Sequence, residues 1–175
     1  MGMAVVGRLM KRFLLSPRVK RLTWEQITVG TYTEASRFSE MIDGVSEEAA
    51  NVVHGGTSLR DIAVQLIGSN RFTAAQLQAL RTGKPMDRDQ NAFSFDAGSR
   101  SFAEVCKEHR ASLHALGAVV AQPIDSATVA VHGLFGPLDA REWLATVAFN
   151  YEYNTRVAER IMRSEAYRKA QGATW

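Results

Sequence analysis

A single cysteine, Cys106, is all the thiol chemistry in this sequence, which excludes an internal disulfide and a paired-cysteine zinc site. No apolar stretch is long enough to cross a bilayer, and charges interrupt every segment with the outline of a signal-peptide core. These absences predict a cytoplasmic protein. Also missing are an HExxH metal-binding pair, a phosphate-binding glycine loop, an internal repeat and a low-complexity tract. What remains, 175 residues with 46% hydrophobic and 22% charged content, suits one globular domain with a complete core.

Positive charge is concentrated at one end. The formal net charge is +3, yet Arg8, Lys11, Arg12, Arg18, Lys20 and Arg21 place +6 in the first 21 residues without an acid, which leaves the rest of the chain at −3. A nucleic-acid binder needs a concentrated cationic face to displace counterions from phosphate, so the body does not belong to that class. The division predicted is a basic arm, residues 1–21, and a helical body, residues 22–175. In the arm Val5, Val6, Leu9, Met10, Phe13 and Leu14 are interspersed with the cations, a pattern for an amphipathic extension that docks on the body or touches an acidic membrane surface.

Helix starts are the clearest local signal. A Ser, Thr or Asp followed three residues later by Glu, Gln or Asp satisfies the orphan N–H groups of a first turn. Thr23 with Gln26, Ser58 with Asp61, Ser101 with Glu104, and Asp139 with Glu142 each stand before a run of helical periodicity. The four predicted helices cover about 24–43, 59–82, 102–121 and 140–165. Asp43-Gly44 breaks the first, Gly83 and Pro85 the second, and Pro123 follows the third. The stretch 83–101 is longer than a tight turn needs and predicts a crossover along the molecule. Residues 127–132 are β-prone, but one strand cannot stabilise itself, so they read as an extended connector before a Gly136-Pro137 turn.

Chemistry is suggested by amides on an apolar stripe. Asn150 and Asn154 lie four apart and share a helix face with Trp143, Val147 and Ile161. Burying an unpartnered amide costs about 1–3 kcal/mol, so polar partners are expected. Gln65, on the face that runs through Ile62, Ser69 and Phe72, is the candidate. The three amides read either as a hydrogen-bonded layer or as the lining of a cavity, which Tyr151 borders and His109 approaches. Cys106 and His109, three apart on one helix, carry the alternative of a thiol–imidazole pair.

The segment Ser58-Leu59-Arg60-Asp61-Ile62-Ala63-Val64-Gln65-Leu66-Ile67-Gly68 resembles the Ser-capped second helix of the DinB-like superfamily, with Gln65 at the place of its metal histidine. The segment Trp143–Asn154 is similar to the fourth helix of that family, with Asn150 and Asn154 where it carries His-x-x-x-His. The resemblance covers roughly residues 23–165. It implies an all-α four-helix bundle with a long crossover between helices 2 and 3, preceded here by the N-terminal extension. For the family it implies a divalent metal and, in some branches, thiol-dependent transferase or isomerase activity. Amide oxygens are weak ligands for transition metals, so the expectation here is no cofactor and no catalysis. The site becomes a place for a small molecule or a protein partner, with Gln65, Asn150, Asn154, His109 and Tyr151 as its residues. The competing expectation is a transferase or hydrolase with nickel or zinc relocated to His109 and nearby carboxylates. Self-association as a homodimer is expected through an exposed apolar face, with Phe93, Phe95 and the arm as the surface.

Overall fold

The computed structural model describes residues 15–84, 86, 90–124 and 127–172. All four capping boxes form, with the first residue's side chain accepting from the N–H three residues on and that residue's side chain accepting in return. They open the four long helices. Numbered in chain order, the helices are α1 (Ser16–Val19), α2 (Trp24–Ile42), α3 (Glu47–Ala50), α4 (Leu59–Arg81), α5 (Phe102–Val120), α6 (Ala140–Met162) and α7 (Glu165–Ala170). The protein is predominantly helical. Gly44 and Gly83, at φ +70° and +68°, take the left-handed conformation just beyond α2 and α4, which a side chain would oppose. Ser46 and Ser164 cap the short helices α3 and α7, which the periodicity did not separate from their neighbours.

Contacts between the long helices fix their directions. Trp24 Nε1 donates to Val120 O at 2.9 Å and Tyr32 Oη to Leu113 O at 3.0 Å, so α2 and α5 run antiparallel. Arg60 Nη1 reaches Arg100 O at 2.9 Å, and Arg81 Nη2 reaches Gln122 O at 3.1 Å, so α4 and α5 are parallel neighbours. The chain between them therefore returns along the molecule. A 3-10 turn, Gln90–Phe93, lies on that path. Gly68 eases its close approach to α4, since a Cβ there would sit 3.3 Å from Phe93 O and push that carbonyl outward. Phe93 packs edge-on against Phe72 at 5.6 Å, and Phe95 lies between the guanidinium groups of Arg71 and Arg100 at 5.2 and 5.4 Å. Phe95 is buried and Phe93 half-buried, so these rings pin the crossover instead of offering a free surface for self-association.

The β-prone stretch is half of a hairpin. β1 (Ala130–His132) pairs antiparallel with β2 (Gly136–Leu138), in the register Ala130↔Leu138, Val131↔Pro137 and His132↔Gly136. The expected connector is corrected on this point. The partner strand was hidden by Gly136-Pro137, which reads as a turn, although a two-stranded ladder is all edge and accommodates a residue without an N–H. Of the arm, α1 packs on the body: Leu15 and Val19 are buried, and Arg141 donates to the carbonyls of Val19 and Leu22. Val5, Val6, Arg8, Leu9, Met10, Lys11, Arg12, Phe13 and Leu14 lie outside the described residues, as does Pro85. Among the described residues no helix is long and apolar enough to cross a membrane.

Candidate functional site

On α4, Gln65, Ser69, Phe72 and Thr73 share one face, and on α6 Trp143, Thr146, Asn150 and Tyr153 do the same. These faces meet along a pocket of about 240 Å³, with His132, Leu134 and Phe135 of the hairpin and Phe149 completing its wall. The lining holds Phe72, Leu134, Phe135, Trp143, Phe149 and Tyr153 with several neutral hydrogen-bonding groups, and no Asp, Glu, Lys or Arg among the described residues. Two of the expected residues, Gln65 and Asn150, are thus brought together.

The amides do not bond as expected. Asn150 Nδ2 donates to Ser69 Oγ at 3.1 Å, and its Oδ1 accepts from Asn154 Nδ2 at 2.8 Å. Asn154 is buried and also donates to the Asn150 backbone carbonyl at 2.9 Å. Gln65 is exposed at the rim and makes no hydrogen bond to either asparagine. The predicted three-amide layer is therefore a two-amide clasp completed by Ser69, because it is Ser69, one turn further along the same face of α4 than Gln65, that stands opposite Asn150. Its side chain and the hydroxyls of Thr73 and Tyr153 have no hydrogen-bond partner among the described residues and are free for a ligand. Tyr153 also lines the pocket.

His132 supplies a directed donor. Its Nδ1 accepts from the backbone N–H of Leu134 at 3.1 Å and of Phe135 at 3.3 Å, which leaves the ring proton on Nε2. Burial holds its pKa below the ordinary histidine value, so the neutral ring persists. The ring lies 4.9 Å from both Phe135 and Trp143. Sequence reasoning left His132 unplaced, because its position depends on the hairpin.

His109 and Tyr151 do not belong to this pocket. Both are fully buried, His109 Nε2 lies 2.8 Å from Tyr151 Oη, and Nδ1 lies 3.4 Å from Ser39 Oγ. Asn70 Nδ2 donates to Tyr151 Oη at 2.8 Å and to Ser112 Oγ at 3.0 Å, and Ser112 donates to His109 O at 2.8 Å. Burial, with the nearby Arg110 charge, pushes the His109 pKa down to about 4. Burial pushes the Tyr151 hydroxyl far above its ordinary range. With both ring nitrogens engaged, His109 has no lone pair for a metal or a substrate. Asn70 and Ser112 escaped the sequence reading, although spacings 66-70-73-77 and 105-109-112-116 put them on the buried stripes.

Among the described residues Cys106 and His109 do not form a thiol–imidazole pair. Cys106 Sγ points to Ile42 O at 3.9 Å, burial raises its pKa, and His109 faces elsewhere. Gln65, Asn150 and Asn154 do not fit a divalent transition metal: Asn150 uses its Oδ1 within the clasp, and Gln65 offers a lone amide at the rim. Among the described residues no group of three or more His, Cys, Asp or Glu comes together to hold an ion. Comparison with known proteins returns no matching family model, no matching curated protein and no matching solved structure.

Proposed function

We propose that this chain is a non-catalytic binding protein, a four-helix bundle of the DinB-like type, that takes a neutral, planar, hydrogen-bonding small molecule in the pocket between α4 and α6. The observation that carries the proposal is the character of the lining: aromatic walls with neutral donors and acceptors and no formal charge. A ring fits among Phe72, Trp143 and Phe149, while Thr73, Tyr153 and the Gln65 amide accept and donate at its edge. His132 Nε2–H adds a donor, and the Asn150–Asn154 clasp keeps the α6 wall rigid. The lining has no carboxylate, ammonium, guanidinium or thiol, and its one imidazole, His132, is kept neutral by burial with Nδ1 already accepting two backbone N–H groups, which favours recognition over turnover. In this reading the site is a metal centre of the family that has lost its ligands and kept its cavity.

The test is a two-dimensional NMR titration of the full chain with benzamide, a planar aromatic ring that carries one neutral amide. The expected result is movement of the Ser69, Thr73 and Trp143 signals, abolished in Asn150→Leu. Perturbation scattered over the surface, or none, would overturn the assignment.

A further inference from the structure

A second cleft lies on the far side of the Phe135–Phe149 contact, whose rings meet edge-to-face at 6.5 Å. It has a volume of about 230 Å³ and runs between α2 and α6 beneath α1. The facing helices leave it open because their residues there are small: Gly30 on α2, Ala145 and Ala148 on α6. A Cβ built at Gly30 would meet no atom within 4 Å. Leu15, Val19 and Ile27 supply apolar walls.

One polar atom in this apolar cleft is left unsatisfied. Glu34 lines it, and its Oε2 is sheltered from solvent without a hydrogen-bond partner. Native structures rarely leave a carboxyl oxygen in that state, and an ionised one is the strongest acceptor a protein has. Glu152, across the cleft, is held by Arg156 Nη2 at 2.5 Å, so the acceptor left open to a ligand is the Glu34 carboxyl, which a cationic donor satisfies best.

We propose that this cleft is a binding site for a primary ammonium on a short apolar tail, the ammonium donating to Glu34 Oε2 and the tail lying over Gly30 and Ala148. At roughly 30 Å³ per heavy atom the volume admits about seven or eight of them, the size of hexylammonium. This site is separate from the neutral pocket and does not depend on it.

The test is a two-dimensional NMR titration of the full chain with hexylammonium, 1-hexanol and hexanoate, followed at the Gly30 and Ala148 amides. Hexylammonium moves both signals, 1-hexanol binds about tenfold more weakly for lack of the charged bond, and hexanoate is rejected. Glu34→Gln brings hexylammonium down to the 1-hexanol affinity, and Gly30→Leu, which fills the cleft, removes binding of both. The proposal is overturned if 1-hexanol binds as tightly as hexylammonium, if Glu34→Gln leaves the affinity unchanged, or if hexylammonium moves neither signal. Glu34→Gln decides the matter alone should Gly30→Leu fail to fold.

Discussion

The Tyr151 hydroxyl donates to Nε2 of His109, and the direction of that bond follows from its neighbours. Ser39 spends its only proton on Ala35 O, 2.9 Å away, so toward His109 it is an acceptor and Nδ1 carries the ring proton. Nε2 is then the lone-pair nitrogen, and Tyr151 Oη, 2.8 Å from it, is the donor. Asn70 Nδ2 donates to that same hydroxyl. A chain of bonds with one polarity thus runs from α4 through α6 and α5 to α2. It ties all four long helices to one arrangement without a net charge.

Tyr151→Phe removes the hydroxyl, leaving His109 Nε2 without its donor and Asn70 Nδ2 with only Ser112 Oγ as acceptor. Urea denaturation should show a loss of about 1–3 kcal/mol, the range for orphaning buried polar groups. A change within experimental error would mean that the chain of bonds is not formed in solution.

Acid should weaken the fold through His109. Its folded pKa, about 4, is below its ordinary value of 6.5. The unfolded chain therefore binds more protons across that window, and stability falls as pH drops from 6.5 toward 4. At about 1.4 kcal/mol per unit the loss approaches roughly 3 kcal/mol. His109→Gln should flatten the stability–pH curve between those values, and an unchanged slope would assign the acid sensitivity to other groups.

Gly117 shares space with Tyr32, since a Cβ there would sit 2.7 Å from the Tyr32 hydroxyl that donates to Leu113 O. Replacing a helix-interior glycine by alanine ordinarily stabilises by about 1 kcal/mol. Gly117→Ala in the native background should forfeit that gain because Tyr32 must move. In a Tyr32→Phe background, compared with Tyr32→Phe alone, the full gain should return. Equal effects in the two backgrounds by chemical denaturation would show that the contact imposes nothing.

Placing histidine at the three positions that the resemblance pairs with metal ligands tests the resemblance itself. A Gln65→His, Asn150→His, Asn154→His triple variant should gain zinc binding, with a melting temperature about 5 °C or more higher in excess zinc. The native chain should show no such rise. Failure of a folded triple variant to respond would separate these positions from a former metal centre.

Much of the fold was legible because local chemistry announced it. Each of the four capping boxes predicted from Ser, Thr or Asp and the residue three further on is formed, and the helix ends at Asp43 and Thr82 fall within a residue or two of the expected breaks. The hairpin was missed because Pro137 disguises a strand as a turn, and with it went His132. The candidate site was half legible. Asn150 was identified from its place on an apolar stripe, and its partner Ser69 lies on the α4 face that pointed to Gln65. Whether Gln65 or Ser69 meets Asn150 depends on the axial offset between α4 and α6, which no local pattern encodes. His109 and Tyr151, expected beside the cavity, lie buried in a separate hydrogen-bonded cluster, because periodicity gives burial and not the identity of the group across the core.

The central claim is that the α4–α6 pocket is built for a neutral organic molecule and not for a metal. Its most direct test is the melting temperature of the untagged native protein with benzamide, measured beside nickel, zinc and manganese, since a ligand of the native state must raise stability. The account predicts a rise with benzamide that Asn150→Leu abolishes, and no rise with any metal. A clear rise with nickel or zinc and none with benzamide would contradict it.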